Sequence, residues 1–114
     1  MRIYNATRGA ELADKAFAAR NVWARTVGLL GRAGLKPGEA LLIEPCSSIH
    51  TAFMRFTIDV LYFDRAGQVV KTVGCLKPFR LSAKWSGARS VIELPSGVIA
   101  ATGTEVGDQL AFEG

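Results

Sequence analysis

"IDVLYFDRAGQVVKTV", residues 58–73, is the stretch whose reading decides the fold. Two runs rich in β-branched and aromatic residues flank Asp64-Arg65-Ala66-Gly67. Such runs joined by a short loop that ends in glycine predict a β-hairpin. Successive strand side chains alternate, so Ile58, Val60 and Tyr62 share one face, and Asp59, Leu61 and Phe63 the other. Both faces are mostly apolar, which marks a central strand and buries Asp59. A carboxylate there needs a cation or several N–H donors, because an unpaired buried charge costs more than folding tolerates.

Upstream, "SIHTAFM" (48–54) also reads as extended chain. Ser48, His50, Ala52 and Met54 would share one face, and Ile49, Thr51, Phe53 and Arg55 the other. His50 is the only histidine, and Arg55 is the cation nearest to Asp59 in sequence. On a straight strand, residues four apart lie roughly 13 Å from each other. Arg55 therefore reaches Asp59 only if the chain breaks, and a bend is expected at Phe56-Thr57. Otherwise Asp59 takes its partners from a neighbouring strand or from backbone N–H groups. The candidate ligand site is His50, Thr51, Arg55 and Asp59. Arg55 would supply a bidentate donor, His50 a switchable donor or acceptor, and Asp59 would orient one of them. The plain structural alternative is an Arg55–Asp59 ion pair, with His50 an ordinary strand residue.

The rest of the chain supplies more strands and a few helical pieces. Residues 2–5 read as a short strand. "ELADKAFAARN" (11–21) places Leu12, Ala13, Ala16 and Phe17 at helical spacing, and "NVWARTVGLLGRAGL" (21–35) repeats that spacing. From Ala40 the period changes, and "ALLIE", "QVVKTVGC", "SVIELP" and "VGDQLAFE" read as strands. "GVIAATG" (97–103) reads as a short helix with Ser96 as its cap and Gly103 at its end. The sum is one mainly β (α+β) domain over residues 1–114. It is expected to be a small closed or partly closed β-barrel of six or seven strands, with one or two short N-terminal helical segments and a late short helix.

Composition excludes several classes. The chain has 114 residues, is 49% hydrophobic and carries a net charge of +4, the balance of a globular domain. No apolar run is long enough to span a bilayer. The N-terminus lacks the apolar stretch of a secretion signal, so a cytoplasmic location is expected, or a periplasmic one if a signal has been removed. Cys46 and Cys75 read as small buried apolar residues, although a disulfide between neighbouring strands is also possible on sequence. One histidine and two cysteines fall short of a metal site, and no nucleotide fingerprint is present, so no cofactor is expected. Cys46 and His50, or Ser47 or Ser48 with His50 and Asp59, could be drawn as a nucleophile set for a small hydrolase. Strand spacing separates Cys46 from His50, and no nucleophile elbow supports the serines.

Charge is unevenly distributed. Residues 65–92 hold six basic side chains and no acid, whereas the stretch from Glu93 onward holds four acids and no base. Segment 71–89 interleaves Phe79 and Trp85 with Lys77, Arg80, Lys84 and Arg89, a composition that suits nucleic acid or a protein partner. Its part from Lys77 to Gly87 is also long enough to be a flap over the His50 site. The favoured partner is a small anionic or polar ligand, bound by a monomer or weak dimer.

The run "HTAFMRFTIDVLYFDRAGQVV", with "GLLGR" before it and "ELPSG" and "VGDQL" after it, resembles the DUF192 family. The match runs from about Thr26 to Leu110. The resemblance implies a compact, β-rich single domain of a group of small prokaryotic proteins with no established activity. Family members often have Lys or Arg where Arg55 stands and Asp where Asp59 stands. Thr57 occupies a position where proline is frequent. Many relatives carry secretion signals, and none is expected from the N-terminal residues of this chain.

Overall fold

The computed structural model describes residues 1–19, 34–44, 49–50, 56–77, 81–82 and 87–114. Within them lie β1 (Arg2–Asn5), β2 (Ala10–Ala13), β3 (Lys15–Ala19), β4 (Glu39–Ile43), β5 (Ile49–His50), β6 (Ile58–Phe63) and β7 (Val69–Leu76). There follow β8 (Leu81–Ser82), β9 (Ser90–Pro95), the helix α1 (Val98–Thr102) and β10 (Leu110–Glu113).

The expected hairpin is present as β6 and β7, paired antiparallel. Asp64 closes its turn. The Asp64 carbonyl accepts from Gly67 N–H at 3.0 Å, and its Oδ1 accepts from the N–H groups of Ala66 at 3.0 Å and Gln68 at 2.9 Å. Gly67 sits at φ 83°, where a Cβ would stand 2.9 Å from Gln109 Nε2. The left-handed backbone favours glycine there, and a Cβ would also displace the Gln109 amide. The chain bends at Phe56 just before β6, where the sequence reading placed a break.

β6 is central, as its two apolar faces required. The five-stranded sheet has the order β3-β4-β9-β6-β7, and every residue of β6 is buried. Among the described strands only the β3–β4 pair is parallel. Residues 20–38 join those two strands and are long enough for the crossover that parallel pairing needs. A three-stranded sheet, β10-β1-β2, packs over one face of the larger sheet. The core between them contains Ile3, Leu12, Leu61, Phe63, Ile92 and Leu110, with Val98 and Ile99 of α1 against its side. The opposite face of the large sheet buries Ile43, Ile58, Val60, Tyr62 and Val91.

Three expectations are corrected, and a fourth falls outside the described residues. The strands do not close into a barrel. β7 and β10 meet only at the Gln68–Gln109 bridge and through a few bonds of Gly67 and Val69, after which β10 pairs with β1 and the ladder ends. The helix expected from Glu11 is instead β2 and β3. A bend at Asp14, whose N–H shares the Gly38 carbonyl with Lys15, joins two short strands of different sheets. That bend imitates the 3, 4 spacing of a helix, yet Phe17, on the supposed apolar face, is 52% exposed. The helix expected at 21–35 falls almost wholly outside the described residues. Cys75 is exposed rather than buried and is not in a disulfide; Cys46 lies outside the described residues.

The late helix is confirmed at Val98–Thr102, and Gly103 ends it at φ 68°. Its N-cap, however, is Gly97 without a side-chain cap bond. Ser96 Oγ instead lies 3.2 Å from Cys75 Sγ.

Candidate functional site

Asp59 is 1% exposed and accepts three backbone N–H groups. Oδ1 accepts from Cys75 at 2.9 Å, and Oδ2 from Gly97 at 3.1 Å and Ile99 at 2.8 Å. The strand register explains the geometry. Ile58 opposes Leu76 and Val60 opposes Val73, so Asp59 faces two residues, Gly74 and Cys75. This is a β-bulge, which kinks a strand and re-aims its groups. Cys75 takes the unusual φ of 54° and turns its N–H onto Asp59. On the other side, Asp59 satisfies N–H groups at the start of a five-residue helix that has no local cap. A carboxylate is well suited there, since helix N-termini favour negative charge. Asp59 thus takes backbone N–H donors, one of the partners its burial demanded, and serves as a structural anchor between β6, the β7 bulge and α1.

The other predicted site residues are only partly placed. Arg55 and Thr51 lie outside the described residues, as do Ser47 and Ser48. His50 is described through its strand pairing, opposite Leu81 of β8. The backbone of His50 is thereby brought beside the segment expected to act as a flap. Within that segment Lys77 is exposed just after β7; Phe79, Arg80, Lys84 and Trp85 lie outside the described residues. Among the described residues, no three His, Cys, Asp or Glu side chains gather as a metal site. Nor is any described helix long and apolar enough to cross a membrane.

Sequence reasoning missed two features. The first is Glu93. In "SVIELP" it shares a face with Val91, and in the sheet it stands between Val60 of β6 and Leu41 of β4. It is 2% exposed, and among the described residues Oε2 has no hydrogen-bond partner. Burial pushes its carboxyl up to about 8, because an apolar surrounding disfavours the charged form. An acid at a core position of an alternating strand was the available signal.

The second is an open cleft of about 540 Å³ where the turn after β6 meets the start of β9 and the outer side of β10. Its wall includes Phe63 and Phe112, whose ring centroids lie 5.3 Å apart. Four charged residues line it: Arg65, Arg89, Asp64 and Glu44. Both acids already accept hydrogen bonds, Asp64 from the hairpin turn and Glu44 from Ser90 Oγ at 3.1 Å. Among the described residues neither arginine has an acidic partner. No local motif announces this cleft, because three distant segments build it.

The comparisons with known proteins agree with this architecture. The DUF192 family model, described as "Uncharacterized ACR", matches residues 4–112. A UPF0127 protein of Pyrococcus furiosus is 35% identical over 114 residues, with 95% of each chain covered. A crystal structure of a protein of unknown function from Novosphingobium aromaticivorans superposes with a TM-score of 0.83 at 15% identity, covering 97% of this chain and 82% of the other. A second, from Sinorhizobium meliloti and described as a candidate transcription regulator, gives 0.79 at 20% identity, covering 96% and 89%. These two structures share the fold. The family match across nearly the whole chain, with a relative aligned end to end, shows that this protein belongs to the DUF192 family.

Proposed function

We propose that the chain is a binding or accessory domain for a small anionic ligand. The observation that carries this reading is the cleft beside β10, lined by Arg65 and Arg89, which have no acidic partner among the described residues, together with Phe63 and Phe112. Guanidinium forks match a carboxylate or phosphate with two parallel bonds. The cleft volume is within the usual range for small-ligand sites. Asp64 and Glu44 offset the two positive charges, so recognition there is directional and suits a single anionic group more than a polyanion.

The site expected at His50, Thr51 and Arg55 is kept as a second locus for the same chemistry, with Asp59 removed from it as an anchor. The strand pairing of His50 with Leu81 favours this locus, since it brings the basic segment alongside. One experiment separates the two. Thermal shift is measured with acetate, benzoate and phosphate on the wild type, Arg89→Ala and Arg55→Ala. A stabilisation lost in Arg89→Ala and kept in Arg55→Ala places the anion in the cleft. The reverse result moves it to the His50 segment. No shift with any of the three anions ends the reading.

A further inference from the structure

We infer that the cleft receives the C-terminal end of an extended peptide, which adds as a strand to the open edge of β10 and gives its terminal carboxylate to Arg65 and Arg89. This rests on the anion-binding reading of the cleft and names its occupant.

The backbone supplies the argument. β1 and β10 are antiparallel, with Arg2 opposite Glu113, Ile3 opposite Phe112, Tyr4 opposite Ala111 and Asn5 opposite Leu110. Ala6 N–H donates to Gln109 C=O at 2.8 Å, which sets the phase of the ladder. Hydrogen-bonded pairs alternate along an antiparallel ladder, so Ala111 and Glu113 point their backbone groups at β1. Leu110 and Phe112 therefore point theirs away from it. For Leu110 this outward side is filled: its N–H donates to Gly67 C=O at 2.8 Å, and its C=O accepts from Gln109 Nε2 at 3.1 Å. Phe112 is the next outward residue, and nothing among the described residues pairs with its N–H or C=O.

An unpaired strand edge is a template for another chain. Peptides that add to such an edge gain affinity from main-chain bonds, and terminal carboxylates are captured by fixed donors. Here both features meet, because the Phe112 edge and the two arginines line one cleft. A small carboxylate alone would leave the Phe112 groups unmatched. A peptide terminus matches the edge with its amides and the arginines with its carboxylate. The Phe63–Phe112 wall offers an apolar surface to one of its side chains. The balanced charge of the cleft also fits one terminal carboxylate better than a nucleic acid backbone.

The test is fluorescence anisotropy with labelled hexapeptides of alternating Thr and Val that end in each natural residue, as free acids and as C-terminal amides. Free acids are expected to bind, with amidation weakening binding about tenfold or more, the loss of a charge-assisted pair. Arg65→Ala and Arg89→Ala should each weaken it to a similar degree. Phe112→Pro should weaken it beyond Phe112→Ala, since both lose the ring and only proline lacks the N–H. Circular dichroism confirms that each variant is folded before it is compared. If benzoate or phosphate binds in the cleft but free acids and amides behave alike, the peptide inference is overturned and the anion reading stands. If a second copy of the chain occupies β10, seen as concentration-dependent association that excludes the peptides, the inference is also overturned. If neither small anions nor peptides bind, both readings fall.

Discussion

Asp59 and Glu93 show how two buried carboxyls of one sheet meet opposite surroundings. Asp59 pairs in register with Leu94, and Val60 with Glu93, so the two acids lie on opposite faces. Asp59 has three N–H donors, whereas Glu93 Oε2 has no partner among the described residues and its carboxyl is pushed up to about 8 from an ordinary 4.5. Between those values the folded protein holds a proton that the unfolded chain has released. The contribution of Glu93 is therefore fully present below about pH 4.5 and is lost as pH rises through 8. Its slope is up to about 1.4 kcal/mol per pH unit for one proton. Glu93→Gln should remove this slope, leaving the variant more stable than the wild type relative to their difference at pH 5. Urea unfolding from pH 5 to 9 measures it, and parallel curves for the two proteins would show that Glu93 does not titrate there. The need of Asp59 for donors was legible in its place on an apolar strand. The identity of the donors was not, because they lie 16, 38 and 40 residues away.

At the scale of elements, local chemistry was the most legible layer. The β6–β7 hairpin follows from Asp64 and Gly67, whose interactions span four residues. The end of α1 follows from Gly103. The misreading of β2 and β3 has a local cause as well, since the bend at Asp14 shifts a two-residue period into one resembling a helix. The start of α1 was misread because its cap is not local. Asp59 serves α1 and the β7 bulge together, so Asp59→Ala should loosen both. It strands three N–H groups and is expected to destabilise the fold by about 3 kcal/mol. Asp59→Asn, which keeps one carbonyl oxygen, should lose less. Denaturant midpoints test the order, and a loss below about 1 kcal/mol for the alanine variant would contradict the anchoring role.

At the scale of the whole molecule, Asp108 ties the two ends of the chain together. Oδ2 accepts from Arg8 Nε at 2.6 Å, Asn5 Nδ2 at 2.8 Å and Glu105 N–H at 3.0 Å, while Asn5 also reaches Thr104 Oγ1 at 3.0 Å. The Arg8 bond, followed by that of Asn5, holds the Asp108 carboxyl down at about 2. A depressed carboxylate contributes stability above its ordinary value near 3.8, and that contribution is lost as pH falls through about 2. Asp108→Asn should thus weaken the fold at pH 7 by about 1–2 kcal/mol. Its difference from wild type should shrink toward pH 2 in acid unfolding followed by circular dichroism. A difference that stays constant with pH would assign the loss to something other than this charge. The Asp of "VGDQL", one of the segments that carried the family resemblance, is thereby accounted for by architecture. By itself the sequence determined the β-rich class, the central position of Ile58–Phe63, the hairpin turn and the end of the late helix, since these arise from alternation and turn chemistry within a few residues. Only the tertiary structure decided that the sheets stay open, that Asp59 is satisfied while Glu93 Oε2 is not, and that Arg65, Arg89 and Phe112 share a cleft. Those outcomes depend on the register between strands far apart in the chain, which no local pattern encodes.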